Sequence, residues 1–227
     1  KISYPIVEFS SQDDSRICDL QRIVYPESPV YSDPELGLRF WQWWFWNMPW
    51  KKSRVFGVIS DSFIVGVRPL SFLPVVIDGK EELCGVLNAT VTHPQYRRLG
   101  IFSRTLAHTL RVAEQEEGVR FAISFPNDNS YPLHLKNPKI SALCDLPLYA
   151  RVFRSQALRG KFPLPGPLCD LLLRILHRTK GAAPLRGIMF QEITQFDERF
   201  DALWERVKRE NRIWIARTST YLNWRYV

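Results

Sequence analysis

Val91-Thr92-His93-Pro94-Gln95-Tyr96-Arg97-Arg98-Leu99-Gly100-Ile101 is the stretch on which the fold of this chain turns. A β-like run, Leu83 to Val91, stops at His93-Pro94, because proline cannot donate to a ladder and biases its predecessor away from helix. Beyond it Phe102, Leu106, Leu110 and Ala113 recur at helical spacing, and Gly118 stands where a C-cap glycine belongs. A helix is predicted over Ile101 to Glu117. The first N–H groups of a helix lack partners within it, and the helix dipole is positive there. The turn that opens this helix therefore presents an anion site: the backbone of Leu99, Gly100, Ile101, Phe102 and Ser103, with Arg97, Arg98 and Arg104 able to add charge-assisted contacts to a phosphate. A solvated basic loop capping a helix has the same local sequence.

Outward from this turn the pattern is mixed α/β. Three β-like runs precede it, Val55 to Ser60, Phe63 to Ile77 and Leu83 to Val91, separated by Asp61-Ser62 and by Asp78-Gly79-Lys80. Asp-Gly favours a tight hairpin, so an antiparallel meander is expected. After the helix, Val119 to Phe125 alternates as a strand ending at Pro126, which makes strand, helix, strand and a parallel crossover. Nearer the N-terminus a short helix is expected at Arg16 to Ile23. The run Phe40-Trp41-Gln42-Trp43-Trp44-Phe45-Trp46 then places Phe40, Trp43, Trp44 and Trp46 on one helical side. That side faces the core, or forms an aromatic acceptor pocket or a membrane-interface patch. From Gln191 a helix at Glu198 to Arg209 and a strand at Ile213 to Ala216 are expected, and Tyr221 to Val227 is an element still in progress.

A length of 227 residues suits one domain, and 45% hydrophobic with 24% charged residues excludes disordered and fibrous designs. Its expected parts are an N-terminal helical arm (1–53), a core (54–150), a basic insertion (151–190) and a C-terminal part (191–227). Lys1 in place of Met points to a fragment. No uncharged apolar run approaches the ~20 residues of a membrane span, and the first residues lack a charged head followed by an apolar signal core, so export is not expected. Cys18, Cys84, Cys144 and Cys169 are widely spaced without a zinc pattern, so they are expected as reduced thiols in a cytoplasmic protein, with no metal. Charge is concentrated: from Arg151 to Gly187 eight basic residues (Arg151, Arg154, Arg159, Lys161, Arg174, Arg178, Lys180, Arg186) face the single acid Asp170, which makes +7 of the formal +8. Pro163, Pro165, Pro167 and Pro184 surround the apolar run Leu168 to Leu176, a basic amphipathic helix. Such an arm is a solvated surface, or it meets an anionic membrane surface or an acyl carrier protein. Nucleic acid is disfavoured, since exposed aromatics do not interleave with the charges.

The glycine turn resembles the acyl-CoA pyrophosphate loop of the GNAT (GCN5-related N-acetyltransferase) superfamily, Arg/Gln-x-x-Gly-x-Gly/Ala after a strand. Arg97 matches its first position and Gly100 its fourth, while Phe102 stands where a small residue is usual. Ser124-Phe125-Pro126-Asn127-Asp128-Asn129-Ser130, followed by Lys136, resembles the superfamily's second segment; Asn127, Ser130 and Lys136 fit, and His134 takes the place of the usual tyrosine. The closest resemblance is to bacterial members with Phe-Pro-Asn-x-x-Ser and a later Tyr-Leu-x-Trp-Arg-Tyr motif, here Tyr221 to Tyr226.

This resemblance implies a mixed, mostly antiparallel sheet flanked by helices. It also implies N-acyl transfer from acetyl-CoA or another acyl-CoA to a primary amine, on a small molecule or a peptide. The donor would lie along Val91, the Arg97 to Ser103 turn, Asn127 and Ser130. A backbone N–H within Asn88 to Val91 would meet the oxyanion. His134, as an imidazolium, would protonate the departing thiolate, with Tyr131 as substitute. Asn127 would fix the donor's arm or a water, or cap a helix. The fourth strand carries no carboxylate after Glu82, and Asn88, Thr90 and Thr92 could only order a water, which leaves the base unassigned: it comes from elsewhere, with Asp128 a candidate, or the amine arrives neutral. His93, His108 and His177 have structural readings. The rival reading is a catalytically degenerate binding or scaffold module.

Overall fold

The computed structural model describes residues 4–146, 166–179, 187, 189–210 and 212–227. It divides into two compact units, Lys1–Ser141 with Thr194–Val227, and Ala142–Ile193. The first unit is built on a seven-stranded sheet: β1 (Ile6–Phe9), β2 (Arg54–Ser60), β3 (Phe63–Ile77), β4 (Lys80–Leu87), β5 (Val91–Thr92), β6 (Ala122–Ser124) and β7 (Ile213–Ile215). Strands β2 to β4 form the expected antiparallel meander, β1 pairs antiparallel with β2, and β6 returns parallel to β4. Both hairpin turns follow from their residues. Asp61 and Ser62, then Asp78 and Gly79, all take positive φ, as a two-residue turn matched to strand twist requires. The short β1, whose alternation spans only four residues, was not foreseen.

Strand β3 is the spine. Its two prolines sit where a missing N–H does no harm. Phe72 and Pro74 turn their carbonyls to the β2–β7 edge, where they accept from the Trp50 indole and from the Ala216 N–H, while Val65 turns its carbonyl to the β5 edge and accepts from His93 N–H. By that alternation Pro69 faces the gap between β4 and β5. Pro74 faces the gap between β2, which ends opposite Leu70, and β7, which begins opposite Val75.

Helices cover both faces of this sheet. Helices α1 (Asp14–Val24) and α2 (Pro34–Phe45) bury Ile17, Leu20, Trp41 and Phe45 with Val67 and Val91. On the opposite face α3 (Ile101–Gln115) buries Leu106, Val112 and Ala113 against Leu70 and Phe72, and Gly118 ends its exit turn at φ +66. The short α4 (Tyr131–Leu135) follows β6. The core stripe of α2 differs from expectation: Gly37, Trp41 and Phe45, four apart, are buried, whereas Phe40, Trp43 and Trp44 form a half-buried second layer. Six aromatics within the seven residues Phe40 to Trp46 allow either stripe, and tertiary packing chose.

In the second unit, α5 (Gly166–Thr179) confirms the helix expected in the insertion, and Leu168, Leu171, Leu172 and Ile175 are exposed on it. Among the eight basic residues only the Arg174 side chain is described. Arg151, Arg154, Arg159, Lys161, Lys180 and Arg186, and the side chains of Arg178 and His177, lie outside the described residues. Helices α6 (Glu198–Val207) and α7 (Ser219–Tyr226) complete the first unit; the terminal motif is helical, closed by Thr218, whose hydroxyl accepts from Tyr221 N–H. No described helix is long and apolar enough to cross a membrane.

Gly66 is the tightest contact between the spine and α3. A methyl there would lie 2.6 Å from Cγ2 of Ile101, itself only 2% exposed. Gly66→Ala is therefore expected to cost about 1–3 kcal/mol by overpacking. Urea unfolding measures it, and a loss below about 0.5 kcal/mol contradicts the close approach.

Candidate active site

The site begins as a mismatch in the sheet. Ser71 pairs with Val86, and Val67 pairs with Val91, so three residues of β3 (Arg68 to Leu70) face four on the partner side (Leu87 to Thr90). The extra residue breaks the ladder between β4 and β5 and bends the chain. Ala89 takes φ +49 within the break, and its carbonyl accepts from Nε2 of Gln21, 2.8 Å away. Gln21 is fully buried on α1, so that helix pins the bulge. Next to it the fully buried Ser71 hydroxyl lies 3.5 Å from Asn88 Oδ1. Ser71 escaped the sequence reading because one serine in a long β-run looks like tolerance rather than placement. Strand β6 pairs with β4 only as far as Leu87 and Ser124. Beyond that register β5 stays with β3, and a cleft opens in the sheet beside the bulge.

The glycine turn lies at the other end of β5. His93 N–H donates to Val65, and His93 Nδ1 accepts from Gln95 N–H at 3.3 Å, which gives this histidine its expected structural role. Arg98 (φ 64) and Gly100 (φ 78) are left-handed, and the chain then enters α3 with no side chain capping its start. The N–H groups of Ile101, Phe102 and Ser103 are thus available to a ligand. A Cβ built on Gly100 meets nothing within 4 Å, so the space in front of the helix is open. Arg97, Arg98, Leu99, Ser103 and Arg104 are exposed, and no described carboxylate lies within 4.0 Å of the three arginines. Open amides, free cations and a dipole fit a diphosphate.

The second motif folds on itself. Asn127 Oδ1 accepts from Ser130 N–H and Ser130 Oγ, both at 3.0 Å, and Asn127 N–H donates to Ser130 Oγ at 3.1 Å. This closed box forms the turn that precedes α4, whose start has no side-chain cap, so a local turn accounts for the spacing of Asn127 and Ser130 and leaves the Asn127 amide nitrogen for other contacts. Tyr131 and Asp128 are exposed.

His134 is 5% exposed, not on a helix surface, and stands edge-on to Phe102 at 5.3 Å between ring centroids. Also packed on Phe102 is Arg68, which sequence reasoning missed. It is fully buried on β3, with its guanidinium carbon 4.3 Å from the Phe102 centroid. Its only hydrogen bonds among the described residues are long ones to Thr105 Oγ1 (3.3 Å) and the Phe102 carbonyl (3.4 Å). Nη1 of Arg68 and Nδ1 of His134 are both buried without a partner. A lone charge inside a β-run was the available signal. Phe102, where the superfamily has a small residue, supplies the ring face on which this cation rests.

Burial pushes the Arg68 guanidinium down to about 9, still protonated at neutral pH. Burial first, and the Arg68 charge second, hold His134 below its ordinary value. The expected imidazolium is thereby corrected: near pH 7 the ring is neutral and has one N–H to donate. The unfolded chain takes up a proton near the ordinary histidine value and the folded chain resists it, so stability is full above about pH 6.5 and falls as acid approaches the folded value. His108, packed on Phe56 and likewise lowered by burial, adds a slope of the same sign. In a histidine NMR titration His134 should ionise below pH 6.5, and Arg68→Met should move it upward; ionisation above 6.5 in the parent contradicts this account.

The comparisons with known proteins agree with this geometry. The family model described as an acetyltransferase (GNAT) domain matches residues 8–133, more than half of the chain. Among solved structures, an acetyltransferase from Clostridium acetobutylicum with acetyl-CoA superposes with a TM-score of 0.51 at 14% identity, over 65% of this chain and 96% of that one. An aminoglycoside N-acetyltransferase in complex with CoA gives 0.51 at 14% identity, over 66% and 96%. The sequence matches none of the curated proteins with which it was compared. Likeness at this identity shows the fold, and the mixed sheet flanked by helices is the acyl-CoA acyltransferase fold. With the family model spanning the cleft, the bulge and the glycine turn, the chain belongs to the GNAT acetyltransferase family.

Proposed function

We propose that the chain is an N-acyltransferase that moves an acetyl or other acyl group from acyl-CoA to a primary amine. The observation that carries the reading is the placement of two devices at the ends of β5: an open, uncapped helix start at Gly100 and a broken ladder at Asn88 to Thr90. One suits a diphosphate and the other a developing oxyanion. In this reading Arg97, Arg98 and the amides from Leu99 to Ser103 hold the diphosphate, and Val91, Asn127 and Ser130 border the donor's arm. The amine nitrogen attacks the thioester carbon. An N–H freed by the bulge stabilises the oxyanion, which a preorganised donor in a dry site does at low reorganisation cost.

The carbon–sulfur bond then breaks, and the proton released by the amine balances the thiolate charge. His134, neutral and buried, or Tyr131 from the same helix hands that proton on. Ser71 and Asn88 order the water that receives the amine's proton. The acceptor enters as a free base, in keeping with the lack of a carboxylate on β4 beyond Glu82. We place the reaction in the cytoplasm, where thiols such as Cys18 and Cys84 stay reduced.

A ligand at a hundredfold its Kd stabilises the folded state by ~2.7 kcal/mol. Acetyl-CoA should therefore raise Tm by several degrees. Gly100→Glu places a negative side chain in the open space before α3 and, at a φ of 78, adds backbone strain, so the shift should vanish. Thiol release over a panel of amines reports the chemistry. A parent chain with no thermal response to acetyl-CoA contradicts the proposal; binding without thiol release from any amine favours the scaffold reading.

A further inference from the structure

The bulge opens toward the α1–α2–α7 face of the sheet through Asn88, whose partner Ser71 lies on the same side as Leu73 and Val75. What surrounds it there is aromatic. Ala89 packs into the cluster that holds Trp44, and Val86 packs into the one that holds Trp50, Tyr221 and Trp224. Trp43 and Trp224 stack at 5.0 Å and 19°. Each also donates its indole N–H to the other's carbonyl, at 2.8 and 3.3 Å, so α2 and α7 are clasped and the wall is preorganised. Trp43, Trp44, Trp50 and Trp224 are each half-buried, so part of their surface reaches solvent.

The charge at this wall is positive. The exposed Arg225 guanidinium lies 5.5 and 5.1 Å from the ring centroids of Trp43 and Trp44, with no described carboxylate within 4.0 Å. Arg217 lies over Tyr221. The acid that reaches α7, Asp201, is consumed by the amide and hydroxyl of Ser219, at 2.7 and 2.6 Å. Among the described residues packed on these rings, a polycationic acceptor such as a polyamine meets two guanidiniums, Arg217 and Arg225.

We infer that this wall is the acceptor subsite, and that its ligand is an amine carrying both a flat apolar body and a carboxylate, as an aromatic amino acid does. The inference rests on the N-acyltransferase reading. Indole faces stack a planar ring at little entropic cost. A guanidinium held in place by two rings presents its fork to a carboxylate. The transfer balances as before: the amine's nitrogen–carbon bond forms, the thioester carbon–sulfur bond breaks, and one proton passes from amine to thiolate.

The test uses a product analogue, which needs no acyl donor. Calorimetric titration of the 227-residue chain with N-acetyl-L-phenylalanine should show binding, and N-acetylphenethylamine, which lacks the carboxylate, should bind about tenfold more weakly, or ~1.4 kcal/mol. Arg225→Gln, an exposed change whose folding a melting curve checks, should erase that difference by weakening only the carboxylate-bearing ligand. Thiol release from acetyl-CoA should then favour L-phenylalanine over spermidine and over glycine. No binding of the analogue, an unaltered preference in Arg225→Gln, or spermidine as the better acceptor overturns the inference. A normal thermal response to acetyl-CoA alongside any of these leaves the transferase reading standing, whereas analogue binding without that response sinks the reading and the acceptor role together.

Discussion

One unequal count holds the site together: three residues of β3 against four between β4 and β5. Because side chains alternate along a strand, an extra residue reverses faces and frees backbone groups that a ladder would consume. Here the freed groups lie beside a cleft, and the structure does not leave the distortion to chance. Gln21 holds the Ala89 carbonyl from α1, Ser71 stands beside Asn88 from the spine, and Pro69 offers no N–H to heal the ladder. Each neighbour therefore favours the broken arrangement over a regular sheet. Strain of this kind is retained where a fold needs backbone donors aimed at something other than itself.

The second organising feature is the buried Arg68. Removing a guanidinium from water without a carboxylate partner costs several kcal/mol, and two long hydrogen bonds with one ring face recover part of it. Arg68 and His134 both pack on Phe102, which ties the first turn of α3 to the α4 helix that carries the proposed proton donor. Burial, with the Arg68 charge second, holds His134 below its ordinary value. Arg68 thus shapes the packing of the helix start and adds to the bias against a charged ring beside it.

How much of this was legible beforehand depends on the range of the interaction that decides each element. The Phe63–Ile77 strand and the start of α3 were readable to the residue, since Asp-Gly turns, Pro94 and Gly100 act locally. The glycine turn of the candidate site was readable for the same reason. The α2 stripe was not, because a run of aromatics is compatible with several helical faces and the choice is made by α1 and the sheet. Ser71 and the Trp43–Trp224 clasp were invisible, and Arg68 showed only as a lone charge in a β-run, because their meaning lies in partners 17, 181 and 37 positions away. His134 was found through the family pattern, but its protonation state was misjudged, since burial and a distant arginine determine it.

The central claim is that the amides at the start of α3 hold the diphosphate of the acyl donor while the bulge faces its thioester. Amide hydrogen exchange with and without CoA tests this residue by residue. The account predicts slowed exchange at Ile101, Phe102 and Ser103 and at the Asn88 to Val91 segment, with the α6 helix unchanged. Unaltered exchange at the α3 start, or protection confined to other parts of the chain, would contradict it.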